Sequence, residues 1–520
     1  MAIAPDGLTL AYARSGGLEQ SLWLKRIDAG NETQLLSADT VNFSGMEFSP
    51  DGHFLYFVRS ERSNPVFGYL CRIPVEGGAV EQLIRDADTP VSFSPDAKQL
   101  VYTRGYPRRR IFEVRVANVD GSGDHLLATV AGNEVFDSGP TWSPNNDSIA
   151  VSAHLIGERR RFALYLISLS KATQTELYTS AGAIGRPLWI EDGRELIVTL
   201  RDLNSHRGQL WTVSTSSGEA HRLTNDLTDY GSAVDLTSDG KHLAVIVRSA
   251  VSNLWVAGAR DLSHPSQIRS GEPNLYQARE LSDGRLIAMG TGIWIMNKDG
   301  DNRVPVGSLK NPEWIEPCGR FLLAVTSTND KKILSRVAID ASNETALTSG
   351  DVVSPACSPD GQFAYYLNAV HPQKISKISV VDGANSEIAD VLGDTLFGNI
   401  VVSPDGKYLA YPYQQYSPPV VELAVIPSAG GPALKQFQVP GFLGTLRWSP
   451  DGKALDYVLT SNGASNIWER LLSGRKPTQL THFNSGEIFD FSWTADHEHL
   501  LMTRGQSKRD VVLLSHLRGE

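Results

Sequence analysis

Cysteine is scarce: Cys71, Cys318 and Cys357 are the only three in 520 residues. An odd number without tight spacing provides neither a disulfide framework nor a zinc pattern. Cys71 and Cys357 fall on predicted strands as small core residues, and Cys318 falls in a predicted turn, where exposure is expected. No run of about 18 apolar residues occurs, so no transmembrane helix is expected. The start, Met1-Ala2-Ile3-Ala4-Pro5-Asp6, lacks the basic and apolar regions of a signal peptide. Sustained helical periodicity is missing as well. Basic charge is in deficit, with a net charge of −10 and a pI near 5.7, which argues against general nucleic-acid binding. No Gly-x-Ser-x-Gly elbow is present, nor a His-Arg-Asp loop, an Asp-Phe-Gly or a kinase glycine-rich loop. Hydrolase and kinase domains of the common kinds are thereby excluded.

What is plentiful is turn chemistry, with 46 glycines and 27 prolines. About every 45 residues the chain makes the same turn between two strand-like runs. Clear copies are Phe48-Ser49-Pro50-Asp51-Gly52, Phe93-Ser94-Pro95-Asp96, Cys357-Ser358-Pro359-Asp360-Gly361, Val402-Ser403-Pro404-Asp405-Gly406 and Trp448-Ser449-Pro450-Asp451-Gly452. Worn copies carry Asp6, Asp192, Asp239, Asp283 and Asp496, with Asn145 and Cys318 standing where Asp is lost. Proline presets φ, Asp binds nearby amides and Gly accepts positive φ, so these ten aspartates are expected to be structural turn residues. After each turn come an alternating strand, a variable loop, a third run often centred on tryptophan, and a short fourth run. Four strands per unit at a fixed period predict an all-β chain of about twelve β-propeller blades.

Ser-Pro-Asp-Gly with a following aromatic strand and a closing Leu-Thr resembles the WD40-like Pro-Asp repeat of TolB-type propellers, over essentially the whole chain. The segments 91–96, 117–123 and 503–514 are similar to the propeller region C-terminal to bacterial serine/threonine kinase or winged-helix domains. The resemblance implies a binding or sensor propeller attached to a larger signalling protein and lying outside the cytoplasm. It implies a protein or peptide partner, no cofactor and no membrane insertion by this chain; a small anion is a further candidate ligand.

One ring of twelve blades would leave a wide hole, so two six-bladed rings are expected, 1–265 and 266–520. Seven plus five, or a ring completed after an inserted second ring, are alternatives. The first blade begins inside its first strand and the last lacks a recognisable fourth. Gln267-Ile268-Arg269 is a candidate to close that last blade. An upstream strand would close the blade around Trp255, and a longer chain carrying it should melt at a higher temperature.

The strongest signal outside the repeat is arginine in the loops between second and third strands. Arg59, Arg62, Arg108, Arg109, Arg110, Arg159, Arg160, Arg161 and Arg207 are the candidate binding residues, with Arg104 and Arg201 in the same loops. Such loops open on one face of a propeller, and arginine forks suit carboxylate or phosphate groups. The competing reading is a solvated surface whose charges are neutralised by Glu61, Glu158 and Asp202. His497 and His499 lie at a turn and are too few for a zinc site. A non-catalytic binding module is the expected function. The alternatives are a propeller hydrolase or lyase with a channel site, or the propeller part of a dipeptidyl-peptidase-like protein without its hydrolase domain. Three or more titratable side chains with perturbed pKa values meeting in one channel would favour an enzyme.

Overall fold

A computed structural model describes residues 1–515, apart from 17–18, 62–63, 107–108, 110, 132–133, 137, 156–160, 191–192, 202–206, 269–273, 291, 307–308, 310–311, 328–330, 340–342, 351, 369–372, 394, 397, 417–418, 440–443 and 462. The described chain forms eleven antiparallel sheets, and in ten of them the strands follow chain order. This is the β-propeller architecture, with each of those ten sheets a blade. No helix is long and apolar enough to cross a membrane among the described residues.

The turn builds the blade from local chemistry. Asp405 Oδ1 accepts the Ser403 hydroxyl at 2.7 Å and the Lys407 N–H at 3.1 Å, while Ser403 Oγ accepts the Tyr408 N–H at 2.9 Å. Gly406 completes the turn at a φ of 72°. Asp51, Asp96, Asp360 and Asp451 make the same bonds with serine, and Asp239 and Asp496 make them with threonine. Asp6 and Asp283 hold the amide two residues on. Asp192 lies outside the described residues.

Packing between blades supplies the cohesion. One apolar cluster joins Val101, Val114 and Val116 of one sheet to Trp142, Ile149, Val151 and Tyr165 of the next. Another joins Leu22 and Leu24 to Phe48, Leu55 and Phe57. Outermost strands such as Glu32–Asp39 are mostly exposed, because nothing covers their outer edge.

The chain divides into two compact units. Unit 1 comprises Met1–Ile156, Arg160–Ser249 and Lys508–Glu520; unit 2 is built from Ala250–Ser507. The sequence pattern suggests a sequential boundary near 260–275, whereas contacts assign the C-terminal segment to the N-terminal unit. Two 17-residue strands, His242–Gly258 and His499–Ser515, cause the difference, because each runs through a unit boundary. Unit 1 holds five whole sheets and a closing blade, in which Asp229–Leu236 pairs with residues 243–248. Val511 and Leu514 of the C-terminal strand pack with unit 1 residues. Unit 2 also holds five whole sheets and a closing blade. In that blade Glu487–Trp493 pairs with residues 500–505, Trp255 Nε1 donates to the Arg504 carbonyl, and Gln267 and Ile268 pair with Trp255 and Leu254. Arg269 is outside the described residues.

The cysteine reading needs correction. Cys318 is buried, not exposed, and forms a disulfide with Cys357 across 39 residues of sequence, with Cα atoms 5.3 Å apart. The turn after Cys318 is short, with Cys318 paired directly to Phe321, where Cys357 pairs with Ala364 seven residues on. The shortening draws Cys318 out of a turn-tip position and back to the end of the inner strand. There it meets the matching strand end of the next blade, one repeat away. The two turns touch closely enough that a Cβ on Gly361 would lie 2.9 Å from the Cα of Gly319.

Candidate functional site

Inner strands of a propeller converge, so a charged residue on one of them is forced toward the channel. In unit 1 three such residues come together. Glu47 lies on Val41–Phe48, Asp235 on Asp229–Leu236, and Arg186 just before Leu188–Ile190. Arg186 Nη1 donates to Glu47 Oε2 at 2.9 Å and Nη2 to the Val91 carbonyl at 2.8 Å. Asp235 Oδ2 accepts the Ile3 N–H at 2.7 Å, and Oδ1 accepts the Leu236 N–H at 2.9 Å. These bonds tie together five blades of unit 1 around the channel axis.

The cluster forms a waist between two cavities, and Arg186 lines both. On the Pro-Asp-Gly face lies a chamber of about 1370 Å³, walled by Trp142, Trp189, Phe93, Leu223 and Thr212, with Glu47, Arg186 and Asp235 at its floor. On the opposite face, where the second-to-third-strand loops open, lies a mouth of about 550 Å³. Burial, followed by the charge of Glu47, pushes the Asp235 carboxyl up to about 7. Burial raises Glu47 as well, against the pull of Arg186. A desolvated carboxylate loses hydration that one guanidinium restores only in part.

Unit 2 has its own channel cluster. Arg279 Nε donates to Glu316 Oε2 at 3.1 Å and its Nη1 to Asp490; Arg447 Nη2 donates to Asp490 Oδ1 at 2.9 Å. Burial, then the charge of Arg279, pulls Arg447 down to about 10. The cavity above is smaller, about 340 Å³, and is lined by Trp314, Trp448 and Trp493.

The loop arginines behave differently from one another. Arg59 is shared by Asp39 at 2.9 Å and Glu61 at 3.1 Å, and Arg161 is bonded to Glu176 with Glu134 at 3.5 Å. Arg104 is held by the carbonyls of Arg85 and Asp86. Arg109 is exposed and Arg207 half-buried. Arg62, Arg108, Arg110, Arg159 and Arg160 lie outside the described residues. The channel residues were not singled out in the sequence, although a signal existed. Glu47, Asp235, Arg447 and Asp490 are each a lone charge between two apolar residues in a blade's first strand.

No family model matches the chain. The uncharacterized protein Atu1656 of Agrobacterium fabrum is 28% identical over 155 residues, covering 28% of this chain and 52% of that protein. The chain thus spans about half the length of the curated relative it matches. Similar solved structures include a putative TolB from Agrobacterium tumefaciens, at 16% identity and a TM-score of 0.35 over 57% of this chain and 91% of that one. The tricorn protease aligns at 11% identity and a TM-score of 0.33, over 98% of this chain and 63% of that chain. An oligogalacturonate lyase from Vibrio parahaemolyticus aligns at 9% identity and a TM-score of 0.33, over 80% and 100% respectively. These likenesses are remote, and the blade architecture rests on the sheet topology itself.

Proposed function

We propose that the protein is a non-catalytic binding module built from two six-bladed rings, with its ligand chamber on the Pro-Asp-Gly face of unit 1. The observation that carries this reading is the bonding at the chamber floor. Both carboxyls at the chamber floor are already engaged, Glu47 by Arg186 and Asp235 by two backbone amides. Groups held this way brace a scaffold and leave an aromatic-walled chamber to do the recognising. A protein or peptide partner suits the width of the chamber. The disulfide supports residence in an oxidising compartment, as does the resemblance to TolB-type propellers.

One observation favours the enzyme alternative. Glu47 and Asp235, both raised by burial, meet beside Arg186 in one channel, two perturbed groups rather than three, and a carboxyl near 7 is suited to proton transfer. The discriminating experiment titrates panels of peptides, neutral oligosaccharides and organic acids while following Trp142 and Trp189 fluorescence. Each mixture is then analysed by mass spectrometry. A bound ligand recovered unchanged supports the binding module. A converted ligand, with conversion lost in Asp235→Asn, establishes the enzyme.

A further inference from the structure

The second cavity of unit 1, on the loop face, differs in character from the aromatic chamber. Three arginines line it, Arg186, Arg201 and Arg248, with one acid, Asp88. On a protein of net charge −10 the lining carries more arginine than acid, although Glu47 pairs with Arg186 and Asp229 lies near Arg248. Like charges crowded into a concave, partly desolvated space repel one another, and the arrangement is relieved when an anion enters.

Three observations bear on it. Arg186 is 7% exposed, and its Nε is buried without a hydrogen-bond partner, although its other two nitrogens are engaged. A buried guanidinium N–H without an acceptor is costly. Arg248 is pulled below the ordinary guanidinium range, first by partial burial and then by the charges of Arg201 and Arg509, with Asp229 opposing. The acids nearby are already employed: Asp88 Oδ2 accepts the Gly105 N–H at 2.6 Å, and Asp229 Oδ1 accepts the Gly208 N–H at 2.8 Å.

We propose that this mouth is a second, distinct binding site, taking a small ligand that bears a carboxylate or phosphate oxyanion, held by Arg201 and Arg248 at the rim and Arg186 at the base. Its volume of about 550 Å³ fits one small molecule and not a folded partner. Planar guanidinium forks match the geometry of two-oxygen anions better than an ammonium would. The inference rests on the binding-module reading and gives it a ligand class. It also extends the expected arginine face inward, from loop tips to the channel wall.

The test is calorimetric titration of the full chain at low salt with sodium glucuronate, citrate and inorganic phosphate, and with glucose as the neutral control. The same titrations are made on Arg201→Gln and Arg248→Gln, with thermal unfolding confirming that both variants are folded. Binding of at least one oxyanion, weakened roughly tenfold or more in each variant, supports the site, as loss of a charge-assisted hydrogen bond requires. The carboxylate and phosphate arms identify which oxyanion is preferred. Unchanged affinity in both variants, or no oxyanion bound by the wild type, overturns the site. Glucose bound with the acids refused also overturns it, while leaving the binding-module reading intact. Conversion of a probe that still depends on Arg248 overturns the non-catalytic reading and leaves the anion site standing.

Discussion

Reduction of the Cys318–Cys357 disulfide gives a direct measure of what holds unit 2 together. The bond closes a loop of 39 residues of sequence separation. Loop-closure entropy for a cross-link of that span is worth about 4 kcal/mol at 25 °C. For a unit of this size each kcal/mol moves the melting temperature by about 2–4 °C, so the unit 2 transition should fall by about 8–16 °C when the bond is opened. Thermal unfolding with and without dithiothreitol reads this, and Cys318→Ala with Cys357→Ala should reproduce it. A thiol titration runs in parallel. Cys71 is the only free cysteine, and burial pushes its thiol up to about 11, so the native protein should show no reactive thiol. Denatured without reductant it should show one thiol, and with reductant three, the full cysteine content. Three thiols without reductant, or a shift below about 3 °C on reduction, would refute the argument that this link limits the unfolded chain.

Other outcomes follow from the same bonds. Asp235 holds a proton more tightly in the folded chain than in the unfolded one, where a carboxyl titrates near 4. Its contribution is therefore fully present below about pH 4 and lost as pH rises through about 7. Asp235→Asn should flatten the stability profile of unit 1 across that window, and an unchanged slope in urea titrations at pH 5 and 8 would count against the assignment. Asp88, raised to about 6 by burial, places a negative charge in the loop-face mouth at neutral pH. Asp88→Asn should tighten oxyanion binding there by roughly tenfold at low salt, as removal of one partly screened charge predicts, with the gain fading as salt rises. On the C-terminal strand His499–Ser515, Val512 and Leu513 are exposed apolar residues beyond the segment paired to Glu487–Trp493. Val512→Lys with Leu513→Lys should lower light scattering during heating, as charge on a strand edge does; unaltered scattering would show that this edge is not the sticky one.

Blade architecture was legible because its chemistry is local. A Ser-Pro-Asp-Gly run carries its own hydrogen bonds, and the bond network at Asp405 needs nothing beyond the six residues from Ser403 to Tyr408. Strand alternation is likewise written residue by residue. The channel clusters were less legible, since Glu47 and Arg186 are 139 residues apart and meet only when five sheets are arranged around an axis. The lone charge in Met46-Glu47-Phe48 breaks the apolar pattern of an inner strand, and that break was the available signal. Cys318 misled because its position was counted along the repeat, while a shortened turn had moved it back into the strand.

The sequence by itself determined the period, the turn, the four-stranded unit and the all-β class, because each follows from backbone preferences and side chains within a few residues. Tertiary structure alone decided three things. It assigned the end of the last strand, from Lys508 on, to the N-terminal unit, since 17-residue strands run through the unit boundaries. It paired two cysteines one repeat apart, since equivalent strand ends of adjacent blades come together. It gathered Arg186, Arg201 and Arg248 around one cavity, since a closed ring turns residues spread along the chain into neighbours at its mouth.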